Sequence, residues 1–286
     1  MIFMWQQILI VTTLIFLFIA SYTDLRWREV PDWLSFGLIF SGLGLRFIFS
    51  FENGWGIFLN GILGFLACFG IAYLFYHTNQ WGGGDSKVLM GMGAVIGLGV
   101  SFQNFSLSNF NLLLFFVGLL LFGAIFGLLW CLFLTIRNWK SFSNEFKDLV
   151  SSMKKWHLIA LLFSVGFIVL SLFFNYVWPF IFFPLGGFYL LCFVKGAEKS
   201  CFIKEVDVNT LVEGDWLAED LSVNGEKVNC GDNGLEKEDL WKIKSLHHEG
   251  KIKNVLVKEG IPFLPSFLLS YVVIVFGKEI MSLFIR

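Results

Sequence analysis

Residues 1–136 are overwhelmingly apolar, and their only acids are Asp24, Glu29, Asp32, Glu52 and Asp85. Asp24 stands in SYTDLRWREVPDWLS, residues 21–35, and Asp85 in WGGGDSKVLMGMG, residues 81–93. A carboxylate is costly to hold inside or beside a membrane span, which makes each a functional candidate. Two carboxylates in one low-dielectric pocket divide the work. The first ionises readily, and its charge together with desolvation keeps the second protonated. The ionised member can take a proton from a water that attacks a peptide carbonyl. The protonated member donates to the developing oxyanion and then to the departing amine. Such chemistry requires neither metal nor covalent intermediate, so no cofactor is expected.

The elements that must position this pair follow from composition. Hydrophobic residues make up 56% of the 286, aromatic residues 19% and charged residues 15%, and the mean hydropathy is +0.72. These values lie outside the range of soluble globular chains and indicate an integral membrane protein. A bilayer core needs about 20 apolar residues per helix. That length predicts spans near 3–23, 34–50, 55–77, 88–105, 110–136, 157–176, 178–194 and 261–284. The first lacks a basic leader and is too long for a secretory signal. The second is short and carries Arg46, so its outer boundary is soft. Segments 157–176 and 178–194, with Pro179 and Pro184, read as a tight helical hairpin or something less regular.

Lysine and arginine set the expected orientation. Arg26 and Arg28 lie in loop 24–33, Lys87 in loop 78–87, and Arg137, Lys140, Lys147, Lys154 and Lys155 in 137–156; loops 51–54, 101–109 and 175–178 contain none. The asymmetry places the N-terminus outside and the first three segments in the cytosol. Asp24 closes the first span and Asp85 opens the fourth. Two crossings separate them, so both carboxylates are expected at the cytoplasmic boundary.

Glycines 82–84 precede Asp85. They would allow positive φ angles and close approach of a peptide substrate to the carboxylate. The plainer reading makes Asp85 the N-cap of the fourth span. A short glycine pattern alone says little. Its partner is the first stretch, where Asp24 is followed six residues on by Val30, then by Pro31 and Asp32. That spacing, with G-x-G-D two spans later, resembles the prepilin peptidase family of intramembrane aspartyl proteases, and most of all its archaeal preflagellin (prearchaellin) branch. The likeness covers residues 1–136; GIPFLPSF at 260–267 also looks like the start of the last span in archaeal relatives.

The resemblance implies a membrane endopeptidase that removes the short basic leader of archaellin or type IV pilin-like precursors at the cytoplasmic face of the cell membrane. It makes Asp24 and Asp85 the catalytic dyad, Gly82, Gly83 and Gly84 the loop of the second motif, and Pro31 a structural member of the first. Bacterial relatives carry a large cytosolic insert with paired cysteines and also methylate the new N-terminus. Here the first connection is only about ten residues, which leaves methylation no visible home. Presenilin-like proteases share G-x-G-D but pair it with a tyrosine-aspartate sequence, whereas Thr23 separates Tyr22 from Asp24. A transporter or a non-catalytic filament-assembly protein is the reading from another class. A transporter would place its carboxylates near mid-span or in repeated halves.

Around the dyad, Asp32 reads as N-cap of the second span, as a rival to Asp24 for the catalytic acid, against which the resemblance weighs, or, with Glu29, as an acid that attracts a basic leader. His77 reads as interfacial and Lys87 as a headgroup anchor. The pairs Gly93–Gly97 and Gly123–Gly127 allow close helix packing. Five cysteines, Cys68, Cys131, Cys192, Cys201 and Cys230, form no C-x-x-C pair, so neither a zinc site nor a disulfide framework is expected. Net charge is −1, and no nucleic-acid partner is expected; the oligomeric state is open.

The expected architecture is an all-α polytopic membrane bundle of six to eight spans with a small cytosolic α+β module before the last span. Its parts are a catalytic membrane domain at 1–136, a cytosolic connector at 137–156, a membrane hairpin at 157–194, the module at 195–258 and a final transmembrane helix at 259–286. Within the module, CFIKEVDV, VEGDWLAEDL and KNVLVKEG read as strands, LEKEDLWKIKSL as a helix, and Asn224–Gly225 as a hairpin turn. A solvated insert is the preferred reading of the module over a second active site.

Overall fold

The computed structural model describes residues 2–78, 80–99, 111–223, 226–228 and 234–284. The Asn224–Gly225 turn, Cys230 and the loop 101–109 lie outside the described residues. The chain forms a helical membrane protein with a small sheet late in the sequence. Among the described residues, six helices are long and apolar enough to cross a membrane. Two compact units are distinguished: residues 1–127 with 261–286, and residues 128–260.

In the first unit, α1 (Ile2–Trp27), α2 (Asp32–Asn53), α3 (Gly56–His77), α4 (Gly83–Ile96), most of α5 (Asn111–Arg137) and α10 (Leu264–Phe284) share one core. Leu17, Leu34, Leu38, Leu89, Met92, Phe115, Leu119 and Phe267 are all fully buried there. Helix α4 lies at the centre, since Val88, Leu89, Met92, Ala94 and Val95 are all buried. The surrounding helices expose apolar side chains such as Phe18, Phe40, Ile48 and Leu66, as lipid-facing surfaces do.

Glycine lets α3 and α4 touch backbone to backbone. A Cβ on Gly64 would lie 2.2 Å from the Gly93 carbonyl oxygen and 2.6 Å from Gly97 Cα. A Cβ on Gly93 would lie 2.3 Å from the Gly64 carbonyl oxygen. Gly93 and Gly97 therefore serve the close approach expected of them. The second pair divides: a Cβ on Gly123 would meet the Phe263 ring at 2.4 Å, while Gly127 faces open space.

Two expected spans change length. Helix α2 does not fade near Arg46 but continues to Asn53. Helix α4 begins at Gly83 and ends at Ile96, where Gly97 takes φ 75°; residues 100–105 of the expected span lie outside the described residues. At about 1.5 Å per residue, α4 is about 21 Å long, short of a hydrocarbon core of about 30 Å. Its last carbonyls still need donors. Buried Arg46 supplies them: Nη2 donates to the Val95 oxygen at 2.7 Å and the Ile96 oxygen at 2.9 Å, and Nη1 to the Ile57 oxygen at 2.9 Å. A cation at a helix C-terminus also meets the negative end of the macrodipole.

In the second unit, α6 (Trp139–Ser152) turns into α7 (Lys154–Ser171), a 3₁₀ turn at Asn175–Phe182 carries Pro179, and α8 (Phe183–Cys201) follows. The hairpin is thus two helices joined by a 3₁₀ corner. Pro184 sits in the first turn of α8, where its missing N–H costs no helical hydrogen bond. Helix α6 buries Phe142 against Ala197, Cys201 and Phe202.

The late module has strands β1 (Ile203–Asp207), β2 (Trp216–Leu217), β3 (Leu221–Val223), β4 (Glu226–Val228) and β5 (Asn254–Lys258), with α9 (Lys237–His248) between β4 and β5. β5 is central and antiparallel to β1 and β2. β3 and β4 pair separately, Val223 opposite Glu226. Val208, Leu211, Leu217, Leu235, Ile243 and Val255 form the module's own core.

Candidate active site

Asp24 lies one turn before the end of α1 and is buried. The helix stops because Arg28 takes φ 60°, and its N–H returns to the Asp24 carbonyl oxygen at 3.0 Å, a left-handed C-terminal stop. Val30 then precedes Pro31, which disfavours helix at residue 30. The loop is kept extended until Pro31 opens α2.

The Asp24 side chain reaches the far end of the sequence. Its Oδ2 accepts the Leu264 N–H at 2.9 Å, and the Phe263 N–H also donates to the carboxylate. These amides open α10, whose first turn has no helical acceptors for its N–H groups and carries the positive end of the dipole. Pro265, next in line, has no N–H to satisfy. The apolar, proline-containing GIPFLPSF thus completes the surroundings of Asp24. Residue types could not reveal this, because the donors are backbone; the sequence likeness of that stretch was the available signal.

Asp85 is in the first turn of α4 and partly exposed. Gly82, not Asp85, occupies the cap position, and the Asp85 carboxylate accepts the Gly82 N–H. This is the return half of a capping box. Asp24 is close enough for its charge to act on Asp85. The two carboxylates singled out in sequence, sixty-one residues apart, therefore lie within electrostatic reach of each other.

The glycine run works differently from the sequence expectation. None of Gly82, Gly83 and Gly84 has a positive φ. Close approach applies at Gly84, where a Cβ would lie 3.1 Å from Val30 Cβ and Cγ2. Gly84 thus seats the second motif against the first. Beside Gly82 and Gly83 a Cβ would find nothing nearer than 3.9 Å, so the backbone before Asp85 stands open. Trp81 closes one side, its ring 4.8 Å from Phe75, 5.3 Å from Phe263 and 5.9 Å from Phe267.

Asp32 is not an N-cap. Pro31 holds that position, with φ −57° and ψ 135°, and its carbonyl accepts the Leu34 N–H at 3.0 Å. Asp32 is the first helical residue and pairs with Lys87 Nζ at 2.5 Å. Lys87, expected as a headgroup anchor, instead links α4 to α2, with its ammonium 5.3 Å from the Phe36 ring centre. Glu29 is exposed. His77 is exposed and lies beside Tyr73, at 4.2 Å between ring centres with the planes tilted by 57°. Among the described residues no three His, Cys, Asp or Glu side chains gather as metal ligands would.

Residues 11–132 match the type IV leader peptidase family. The chain is 41% identical over 81 residues to a preflagellin peptidase of Methanococcus voltae, covering 28% of this chain and 34% of that protein. It is 40% identical over 85 residues to a preflagellin peptidase of Methanocaldococcus jannaschii, again covering 28% and 34%. A preflagellin peptidase of Methanococcus maripaludis is 34% identical over 85 residues, 28% of this chain and 35% of that protein. The chain thus spans about a third of the length of these curated relatives. The family likeness read from the two motifs is borne out for the segment that holds both aspartates.

Proposed function

We propose that the chain is an aspartic endopeptidase that removes a short basic leader from archaellin or type IV pilin-like precursors. The premise is that residues 11–132 carry the sequence of the type IV leader peptidase family. The observation that supports a dyad most directly is the seating of the second motif on the first, Gly84 against Val30, which leaves Asp85 within reach of the Asp24 charge. One carboxylate, ionised, takes a proton from the attacking water; its partner, protonated, donates to the carbonyl oxygen and then to the leaving amine. The open backbone at Gly82 and Gly83 gives an extended substrate room beside Asp85. The Leu264 and Phe263 amides hold Asp24 in one orientation, so that its second oxygen faces the reaction.

In this reading the site opens to the cytosol at the cell membrane. Pro31 ends the loop that Gly84 packs against, and the Asp32–Lys87 pair ties that loop to α4. With the Asp32 charge engaged by Lys87, Glu29 is the acid that draws the leader's lysines or arginines.

The test uses membranes containing the full chain and a precursor whose basic leader ends in glycine. Cleavage appears as a mobility shift that Asp24→Asn or Asp85→Asn abolishes. An intact precursor, or cleavage that survives both substitutions, overturns the proposal; an intact precursor would favour the transporter or assembly readings. Because the rate needs one proton on the pair, cleavage should follow a bell-shaped pH profile. A profile flat on both sides argues against a shared-proton dyad.

A further inference from the structure

The second unit holds a cleft of about 680 Å³ where helix α5 gives way to α6, lined in part by Arg137, Trp139, Lys140, Ser141, Ser200 and Lys204. No carboxylate is among its lining residues. Lys204 pairs with Glu259 at 2.5 Å, so Arg137 and Lys140 set the sign of the cleft. We propose that this cleft binds the phosphate of an anionic phospholipid headgroup.

Three independent features point to that chemistry. First, the cations stand at the end of a twenty-seven-residue apolar helix, where a membrane-crossing segment meets the headgroup layer, and Trp139 is the aromatic type favoured at that depth. Basic pockets between membrane helices are suited to phosphorylated headgroups. Second, the Ser141 hydroxyl offers a neutral donor beside the cations, while the Ser200 hydroxyl donates to the Gly196 carbonyl oxygen at 2.6 Å. Third, Trp139, Lys140 and Ser141 are the first residues of α6, a helix of fourteen residues. Their N–H groups have no acceptors within the helix and face the positive end of its dipole. Guanidinium, ammonium, hydroxyl and amide donors together suit a phosphate oxygen set. The cleft has the wrong sign for a basic leader, so it is separate from the proposed substrate path and does not depend on it.

The apolar face of α6 does not compete for the lipid role. Phe142 and Phe146 pack on Phe193 and the end of α8, and Glu145 pairs with Lys199 at 3.2 Å. The helix is thereby held against α8 with its N-terminus at the cleft.

The full chain, purified in a neutral detergent, would be titrated with phosphatidylglycerol, with phosphatidylcholine and with inorganic phosphate, and bound adducts counted by native mass spectrometry. The expected result is one tightly retained phosphatidylglycerol and no retained phosphatidylcholine. Joint Arg137→Ala and Lys140→Ala substitution should weaken it about twenty-five-fold, from roughly five-fold per removed surface cation. Joint Arg137→Lys and Lys140→Arg substitution, which keeps both charges, should restore most retention and guards against a folding defect. Joint Lys154→Ala and Lys155→Ala substitution, away from the cleft lining, should change nothing. Retention of inorganic phosphate but not of the lipid, with the same sensitivity to Arg137 and Lys140, would keep a phosphate site and overturn its lipid source. Equal loss in the Lys154/Lys155 variant, or no selectivity over phosphatidylcholine, overturns the site altogether.

Discussion

Arg46 shows how a single side chain can make an otherwise unfavourable backbone end tolerable. It donates to the Val95, Ile96 and Ile57 carbonyl oxygens while only 7% exposed. Arg46→Met would strand the Val95 and Ile96 acceptors at the end of α4, at about 1–3 kcal/mol for each one left unsatisfied. The expected outcome is a clearly lower unfolding temperature in detergent, with Arg46→Lys recovering only part because an ammonium cannot bridge the same carbonyls. Gly84 makes a subtler case. Gly84→Ala would press on Val30 Cβ and Cγ2 at 3.1 Å, so cleavage should fall while the helical spectrum stays unchanged, and Val30→Ala in the same chain, which removes Cγ2 but keeps Cβ, should restore part of it. At this scale the sequence was informative where a residue was out of character: two acids in an apolar segment are conspicuous. It was silent about the Leu264 and Phe263 amides, since every residue but proline carries such a donor. It misread Asp32 as an N-cap, a position that Pro31 holds, and it was silent on Lys87, the partner fifty-five positions away.

Helices α3 and α5 follow the apolar runs closely, because a bilayer imposes length and composition together. Helix α4 does not. Its apolar run continues past Ile96, but Gly97 and Gly99 take φ 75° and 77°, and hydropathy carries no information about backbone dihedrals. The α3–α4 crossing was legible only as a glycine spacing on one helix; Gly64, its counterpart, became evident with the fold. Gly93→Ala would drive a Cβ to 2.3 Å from the Gly64 carbonyl oxygen and 2.7 Å from Cys68. Overpacking of this kind costs about 1–3 kcal/mol or more. Lower thermal stability and slower cleavage are expected, because α4 carries Asp85. Gly127→Ala, facing open space, should change neither and serves as the control. The segment at 137–156 was legible as basic, yet the burial of Phe142 that makes α6 a packed helix depends on α8, some fifty residues later.

Taken whole, the chain joins two kinds of folding problem. The bundle buries a shared apolar core among helices whose outer faces remain apolar, while the late module closes a small core of its own around Ile243 and Val255. Its strands and helix were legible because short alternating runs and a charged helical stretch contrast with the apolar sequence around them. Ile243 is fully buried, and Ile243→Ala should cost the module about 2–5 kcal/mol. Hydrogen exchange should quicken in 203–258 and leave α1, α2 and α4 protected. If the module is a solvated insert, precursor cleavage by this variant persists; loss of cleavage with the bundle intact would assign the module a part in substrate handling.

The hydrogen bond from the Leu264 amide to Asp24 joins positions 240 residues apart. A ribosome that has made all of α1 to α4 has therefore still not supplied what orients the first carboxylate. If that carboxylate acts as proposed, a nascent chain stalled before α10 would hold both acids and remain silent, so that proteolytic competence waits on the synthesis of that helix.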